Sequence, residues 1–238
     1  MPARPDELAR RSPRDADRFD ALCDHLLVVR RSPCNSHPDP VTVSDGTLVG
    51  TYRLLRQEVA ETGPGFYTAE EFDIASLVDR HRSLRFLELG RSCVRAGYRT
   101  RPVVELLWQG IWNYVRGHRL DVMIGCASFE GTDPDAHAVA LGFLARHCAA
   151  EDAWRVNAHR HRHVAMDRLR GGDVDSRQAM KALPPLIKGY LRLGASIGDG
   201  AVIDFQFNTT DVLIVLPVSA INRHYFQHFG GPEECLAR

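Results

Sequence analysis

Within Phe86–Val94 (FLELGRSCV), an apolar and strand-like run carries a single acid, Glu88. The next stretch has no acid and holds Arg91, Arg95, Arg99 and Arg101, interleaved with Gly97 and Tyr98. Pro102 then opens an amphipathic run over residues 103–115 that reads as a helix begun at a proline. A carboxylate among apolar neighbours has its pKa pushed upward, toward proton transfer near neutral pH. Four guanidinium groups beside the free N–H groups of a helix N-terminus favour an anion, such as the phosphate of a carrier group. The pattern is that of a base next to an anion anchor. The same residues also suit a structural acid paired with Arg91 or Arg53, beside an arginine-rich surface turn.

Other reactive side chains are less informative. His159, His161 and His163 would share one face if their segment were extended. No CxxC or HExxH accompanies them, so a polar strand face is expected and no metal site. Asp20, Asp24, Asp204 and Asp211 could orient an amine, although turns and caps are the default use of aspartate. Trp108, Trp112 and Tyr114 read as core and groove lining; without basic–aromatic alternation on a sheet, nucleic-acid binding is not expected. The six cysteines at 23, 34, 93, 126, 148 and 235 lack paired spacing and fit reduced core thiols of a cytoplasmic protein.

The elements that must position these groups follow from patterning. The 238 residues suffice for one large domain, and 44% apolar with 25% charged residues is ordinary for a globular chain. Thirty basic and thirty acidic residues cancel, so only local clusters at 91–101 and 155–170 matter electrostatically. No apolar run reaches membrane-spanning length, and the N-terminus has no signal-peptide core. Strands are expected at 24–29, 47–55, 85–94 and 121–127, with 154–164 extended and a hairpin of 201–207 and 212–218 around Asn208–Asp211. Helices are expected from a capping box at Thr68–Glu71, at 102–116, from Asp133 to about Cys148, and at 183–193, closed by Gly194. Lys181, Lys188 and Arg192 make that last helix basic and amphipathic, suited to packing on a sheet or to an anionic membrane surface. The sum is an α/β domain on a mixed sheet.

Several segments resemble the bacterial ornithine-lipid acyltransferases. They are Asp17-Arg-Phe-Asp20 with Cys23-Asp-His-Leu26, Val49-Gly-Thr-Tyr-Arg-Leu54, Leu87–Val94, Gly131–His137, residues 183–195 and Phe207–Val212. The resemblance spans about residues 15–230 and implies the GCN5-related N-acyltransferase fold, shared with acyl-homoserine-lactone autoinducer synthases. In that fold a mixed, mainly antiparallel sheet is flanked by helices and two central strands splay apart. It implies transfer of a 3-hydroxyacyl chain from acyl carrier protein to the α-amine of L-ornithine, with no bound cofactor and the carrier's phosphopantetheine as donor. Glu88 and Arg91 are then the catalytic candidates, Arg95, Arg99 and Arg101 the donor and carrier contacts, and Asp20, Asp24 and Arg53 the acceptor side. The expected setting is cytoplasmic, with peripheral contact at the inner membrane. The divisions expected are an N-terminal segment 1–20, a domain 21–230 and a tail 231–238, the first shortened because relatives carry a strand and helix ahead of Asp17. Two alternatives stay open: an acyl-carrier-dependent autoinducer synthase, and an inactive acyltransferase serving as a binding subunit.

Overall fold

The computed structural model describes residues 16–31, 46–169 and 175–221. Among the described residues six strands form one sheet: β1 (Asp24–Arg31), β2 (Gly46–Arg56), β3 (Phe86–Val94), β4 (Val122–Glu130), β5 (Ser196–Asp204) and β6 (Thr209–Pro217). Their spatial order is β1-β2-β3-β4-β6-β5. Every neighbouring pair is antiparallel except β3 and β4, which are parallel. A parallel pair needs a crossover, and α3 (Arg101–Gly117) supplies it. The shorter helices are α1 (Gln57–Ala60), α2 (Ile74–Arg80), α4 (Ala138–His147), α5 (Ser176–Ala182) and α6 (Pro185–Leu193).

Alternation along each strand divides the core between the two sheet faces. Leu54, Leu87, Met123, Val212 and Ile214 point to one face, where Leu107, Ile111 and Val115 of α3 and Ile187, Tyr190 and Leu193 of α6 cover them. Leu55, Phe86, Val122, Ile124, Leu213 and Val215 point to the other, under Phe72, Ile74 and Leu77. Helix α6 stops where the pattern says it should, since Gly194 takes the left-handed conformation (φ 103°) and a Cβ there would lie 2.5 Å from the Ala220 carbonyl oxygen. The apolar face of α6 therefore belongs to the core.

Parallel pairing of β3 with β4 is short. It covers Phe86–Glu88 against Val122–Ile124 and goes no further. At the next residue Gly125 is packed against β3, and a Cβ would fall 2.3 Å from the Leu89 carbonyl oxygen. Beyond this point β3 stays with β2 and β4 stays with β6, so the sheet opens into a wedge. These are the mixed sheet and splayed central strands that the resemblance implies.

Four local expectations are corrected. Thr68 does not open an α-helix: Tyr67–Glu70 is a 3₁₀ turn, and α2 begins at Ile74 with Asp73 accepting from the Ser76 N–H at 3.2 Å. Residues 134–137 form turns before α4. The 154–164 segment is not a strand; it makes isolated bridges to Phe72, Asp199 and Ala201, and Arg162 N–H closes a turn on the His159 carbonyl. The three histidines thus sit on a turn and share no strand face. The β5–β6 turn spans 205–208, so Asp211 belongs to a strand interior. Helix α5 had no sequence expectation. Cys34, Cys235 and the 231–238 tail lie outside the described residues, and Cys23, Cys93, Cys126 and Cys148 are free thiols.

Candidate active site

The face that carries Phe86, Ile124 and Leu213 changes character toward the wedge. At the same parity the strands there place Arg53, Glu88, Cys126, Ser128, Thr209 and Asp211, all lining one cavity of about 400 Å³. Apolar packing on the closed side and polar groups on the open side give a half-buried polar pocket where the sheet parts.

Glu88 sits at the last paired position of β3 and is only 4% exposed. Among the described residues its carboxylate is not paired with an arginine. It accepts from the backbone N–H groups of Tyr67 at 2.9 Å and Thr68 at 2.6 Å, and so holds the 3₁₀ turn against the sheet. Burial pushes its pKa upward, and the Thr68 and Tyr67 bonds with the charge of Arg53 offset that only in part. Glu88 is thus both a turn anchor and a pocket-lining group with raised proton affinity.

Arg91 owes its direction to a β-bulge. Thr51 faces Cys93 and Arg53 faces Gly90, so Arg91 and Ser92 together oppose Tyr52. Arg91 adopts the left-handed region (φ 48°), which a non-glycine residue enters at a cost of about 1–2 kcal/mol. The bulge turns its guanidinium to the cavity, over the Phe207 ring at 4.5 Å and within 3.1 Å of Asp17 Oδ2.

Asp17 is the residue that sequence reasoning missed. Arg53, 5% exposed, donates through Nη1 to both Asp17 oxygens at 2.8 Å and to Asp20 Oδ1 at 3.0 Å. Burial raises the Asp17 pKa, but the hydrogen bonds from Arg53, Phe19 N–H and Arg91 hold it below the usual range. One carboxylate therefore links both arginines and fixes the chain ahead of β1 over the cavity mouth. The signal was present as Asp17-x-x-Asp20 but read as motif, not as ligand.

The remaining candidates fall in three places. Asp20 lies at the outer mouth with His25 and Arg91. Asp24 lies elsewhere: it accepts from the Tyr114 hydroxyl, stands 3.7 Å from Arg56, and lines neither hollow. Arg95, Arg99 and Arg101 are exposed around the turn Ala96–Tyr98 that leads into α3. Arg99 donates to the Val94 carbonyl at 3.1 Å, and Arg101 is paired with Glu105 at 2.6 Å.

On the β4–β6 wall Glu71, Cys126 and Asp211 bring ligand atoms within 4.8 Å of one another. Burial, then the charge of Asp211, pushes Glu71 up to about 7, against the Cys126 bond and Arg162. Burial also raises Cys126 well above its ordinary value, so it is a thiol that donates to Glu71 Oε2 at 3.3 Å. Arg162 holds Glu71 Oε1 at 3.2 Å. A metal would have to displace the thiol proton and the guanidinium, so these groups do not fit a resident ion.

Comparison with known proteins gives this geometry a context. The Acetyltransferase (GNAT) domain family matches residues 1–109, which include β1–β3 and the start of α3. The L-ornithine N(alpha)-acyltransferase of Agrobacterium fabrum is 53% identical over 234 residues, 98% of this chain and 78% of that protein. That of Brucella abortus is 50% identical, covering 97% of this chain and 79% of its own. The chain belongs to the L-ornithine N(alpha)-acyltransferase family. A more distant member from Rhodobacter capsulatus is still 36% identical over 90% of this chain and 79% of its own. A protein of this family is an N-acyltransferase on the GNAT fold, so the wedge beside Glu88 is the place to seek its chemistry.

Proposed function

We propose that this chain transfers a 3-hydroxyacyl group from acyl carrier protein to the α-amine of L-ornithine, giving lyso-ornithine lipid. The observation that carries the reading is a buried carboxylate at the point where β3 and β4 part, facing a cavity with Arg53 and Arg91 on one wall. The names of the relatives supply the acceptor.

In this reading the thin acyl-pantetheine arm lies in the wedge with its thioester carbonyl beside Glu88. Backbone N–H groups of β3 past the last β4 pair serve as oxyanion donors. Arg91 holds the ornithine carboxylate through its planar fork, while Arg53, engaged by Asp17 and Asp20, positions the mouth. The amine nitrogen attacks the carbonyl carbon and forms the C–N bond as Glu88 takes the nitrogen's proton. Collapse of the tetrahedral adduct breaks the C–S bond, and the departing sulfur receives that proton. Arg95 and Arg99 are exposed cations suited to the carrier's acidic surface, with Arg101 weakened by Glu105. Outward Lys181 and Arg192 favour contact with an anionic membrane, where an amphiphilic product would leave.

The test is direct. Purified chain with 3-hydroxyacyl carrier and ornithine should release carrier thiol and form the lyso-lipid in equal amounts, with the acyl-coenzyme A analogue a much poorer donor. Absence of product, or equal use of the coenzyme A donor, would overturn the reading.

A further inference from the structure

The wall of the cavity opposite the arginines carries acids that the mechanism above does not use. Asp204 and Asp211 both line it, 7% and 6% exposed, together with Thr209 and Ser128. Asp204 has a local duty: its Oδ1 accepts from the Gln206 and Phe207 N–H groups at 2.7 and 3.1 Å and shapes the β5–β6 turn. Asp211 has no such duty. It sits within β6, opposite Ser128 of β4 and Val202 of β5, and its Oδ1 is buried without a hydrogen-bond partner among the described residues. The neighbouring Thr209 Oγ1 is buried as well and has no partner within hydrogen-bond distance among the described residues, although the Thr209 and Ser128 hydroxyls face Asp211 closely enough to stabilise its charge in part.

Two unsatisfied oxygens in one buried corner cost on the order of 1–3 kcal/mol each, and a carboxylate oxygen more, unless a donor arrives. The nearby protein cation is already committed, because Arg162 bonds Glu71 Oε1. The missing partner is therefore a cation with several N–H donors that enters through the cavity. A primary ammonium fits: its three protons match Asp211 Oδ1, Thr209 Oγ1 and the Asp204 carboxylate. A metal fits poorly, since Cys126 keeps its proton and donates it to Glu71.

We propose that Asp211, with Thr209 and Asp204, forms a subsite for the side-chain ammonium of a diamino-acid acceptor. The proposal rests on the reading of this chain as an amino-acid N-acyltransferase. It makes the cavity bipolar: the acceptor's carboxylate lies toward Arg91, its α-amine toward Glu88, and its side chain crosses to β6. Acceptor choice then follows from charge at the far end, because a buried carboxylate left without a donor rejects an uncharged side chain.

The experiment compares ornithine with norvaline, which has the same carbon chain without the terminal amine. Wild-type enzyme should prefer ornithine by roughly a hundredfold or more in kcat/KM. In Asp211→Asn that ratio should collapse toward one, with the loss carried mainly by KM for ornithine. Thr209→Val, a milder change, should reduce the ratio about tenfold and guards against a misfolded first variant. Wild-type enzyme that acylates both amino acids equally, or variants that keep the wild-type ratio, would overturn the subsite and leave ornithine acylation standing. Failure of the wild type to acylate ornithine would bring down both. Stoichiometric zinc or manganese binding that is lost in Asp211→Asn and in Cys126→Ser would also overturn the ammonium assignment.

Discussion

Glu88 and Arg91 each combine a structural duty with the chemical one proposed for them, and substitutions can pull the two apart. In Glu88→Gln one backbone N–H keeps an acceptor, while the other meets the amide's own donor. Leaving that buried N–H unpaired should cost about 1–3 kcal/mol of stability. Loss of the base should lower acyl transfer by at least about a hundredfold on the folded fraction. Chemical denaturation and single-turnover thiol release measure the two effects separately, and wild-type turnover in folded Glu88→Gln would remove the base. Arg91 gives a cleaner separation, because its φ of 48° favours glycine. Arg91→Gly should be about 1 kcal/mol more stable than Arg91→Ala, whereas both should raise KM for ornithine by tenfold or more. Equal stability of the two variants would mean that the bulge relaxes when the guanidinium is gone. At this scale the sequence was only partly legible. Glu88 stood out because an acid in an apolar strand is chemically costly, and Arg91 because it follows at once. Asp17 did not stand out, because its partner comes from β2, and Asp211 was only one of four aspartates that could orient an amine, because its orphaned oxygen exists only once β6 is packed.

Strands and helices with strong periodicity were readable in advance, and those held by tertiary contacts were not. β3, α3 and β6 carry enough apolar pattern to specify themselves. The 154–164 segment looks extended because its composition suits a strand, yet with only isolated bridges on offer it folds into turns. Thr68 looks like a helix cap, but the Glu88 carboxylate claims its N–H and that of Tyr67, so a 3₁₀ turn forms. The wedge itself depends on Gly125, where backbone meets backbone. Gly125→Ala must push β3 and β4 apart, an overpacking cost of about 1–3 kcal/mol, or a fall in Tm of roughly 3–10 °C for a domain of this size. Transfer activity should fall with it, and an unchanged Tm would show that the strands part for another reason. The turn before α3 is an element of a different kind, an exposed cluster of arginines for which carrier docking is proposed. Reversing Arg95, Arg99 and Arg101 to Glu should raise KM for the carrier donor about tenfold at low salt and spare a small acyl-pantetheine. The difference should shrink as salt rises, since exposed charges are screened. Equal damage to both donors would assign the turn to structure.

For the molecule as a whole, the acids on the buried face make stability fall with rising pH over a definite range. Glu71, 3% exposed, has its pKa pushed from 4.5 to about 7, first by burial and then by the charge of Asp211. Arg162, at 3.2 Å, favours the ionised form, but its side chain is 29% exposed and water screens it, while Asp211 acts from the dry side. Because the folded pKa is the higher one, the native state binds more protons than the unfolded chain between the two values. The stabilising contribution is therefore complete below about pH 4.5 and is lost as pH climbs through about 7. At about 1.36 kcal/mol per pH unit, the ceiling on that loss is roughly 3 kcal/mol. Glu88 and Asp211 are shifted in the same direction, whereas Asp17, Asp20 and Asp73 are lowered and act in the acid range below their ordinary 3.8. The Glu71 window thus stands apart from theirs. Glu71→Gln removes the titration while leaving an acceptor for Arg162, so its stability relative to wild type should improve steadily from pH 5 to pH 7.5. Urea unfolding at several pH values within that span measures the difference, and parallel curves for the two proteins would show that Glu71 does not hold its proton in the native state.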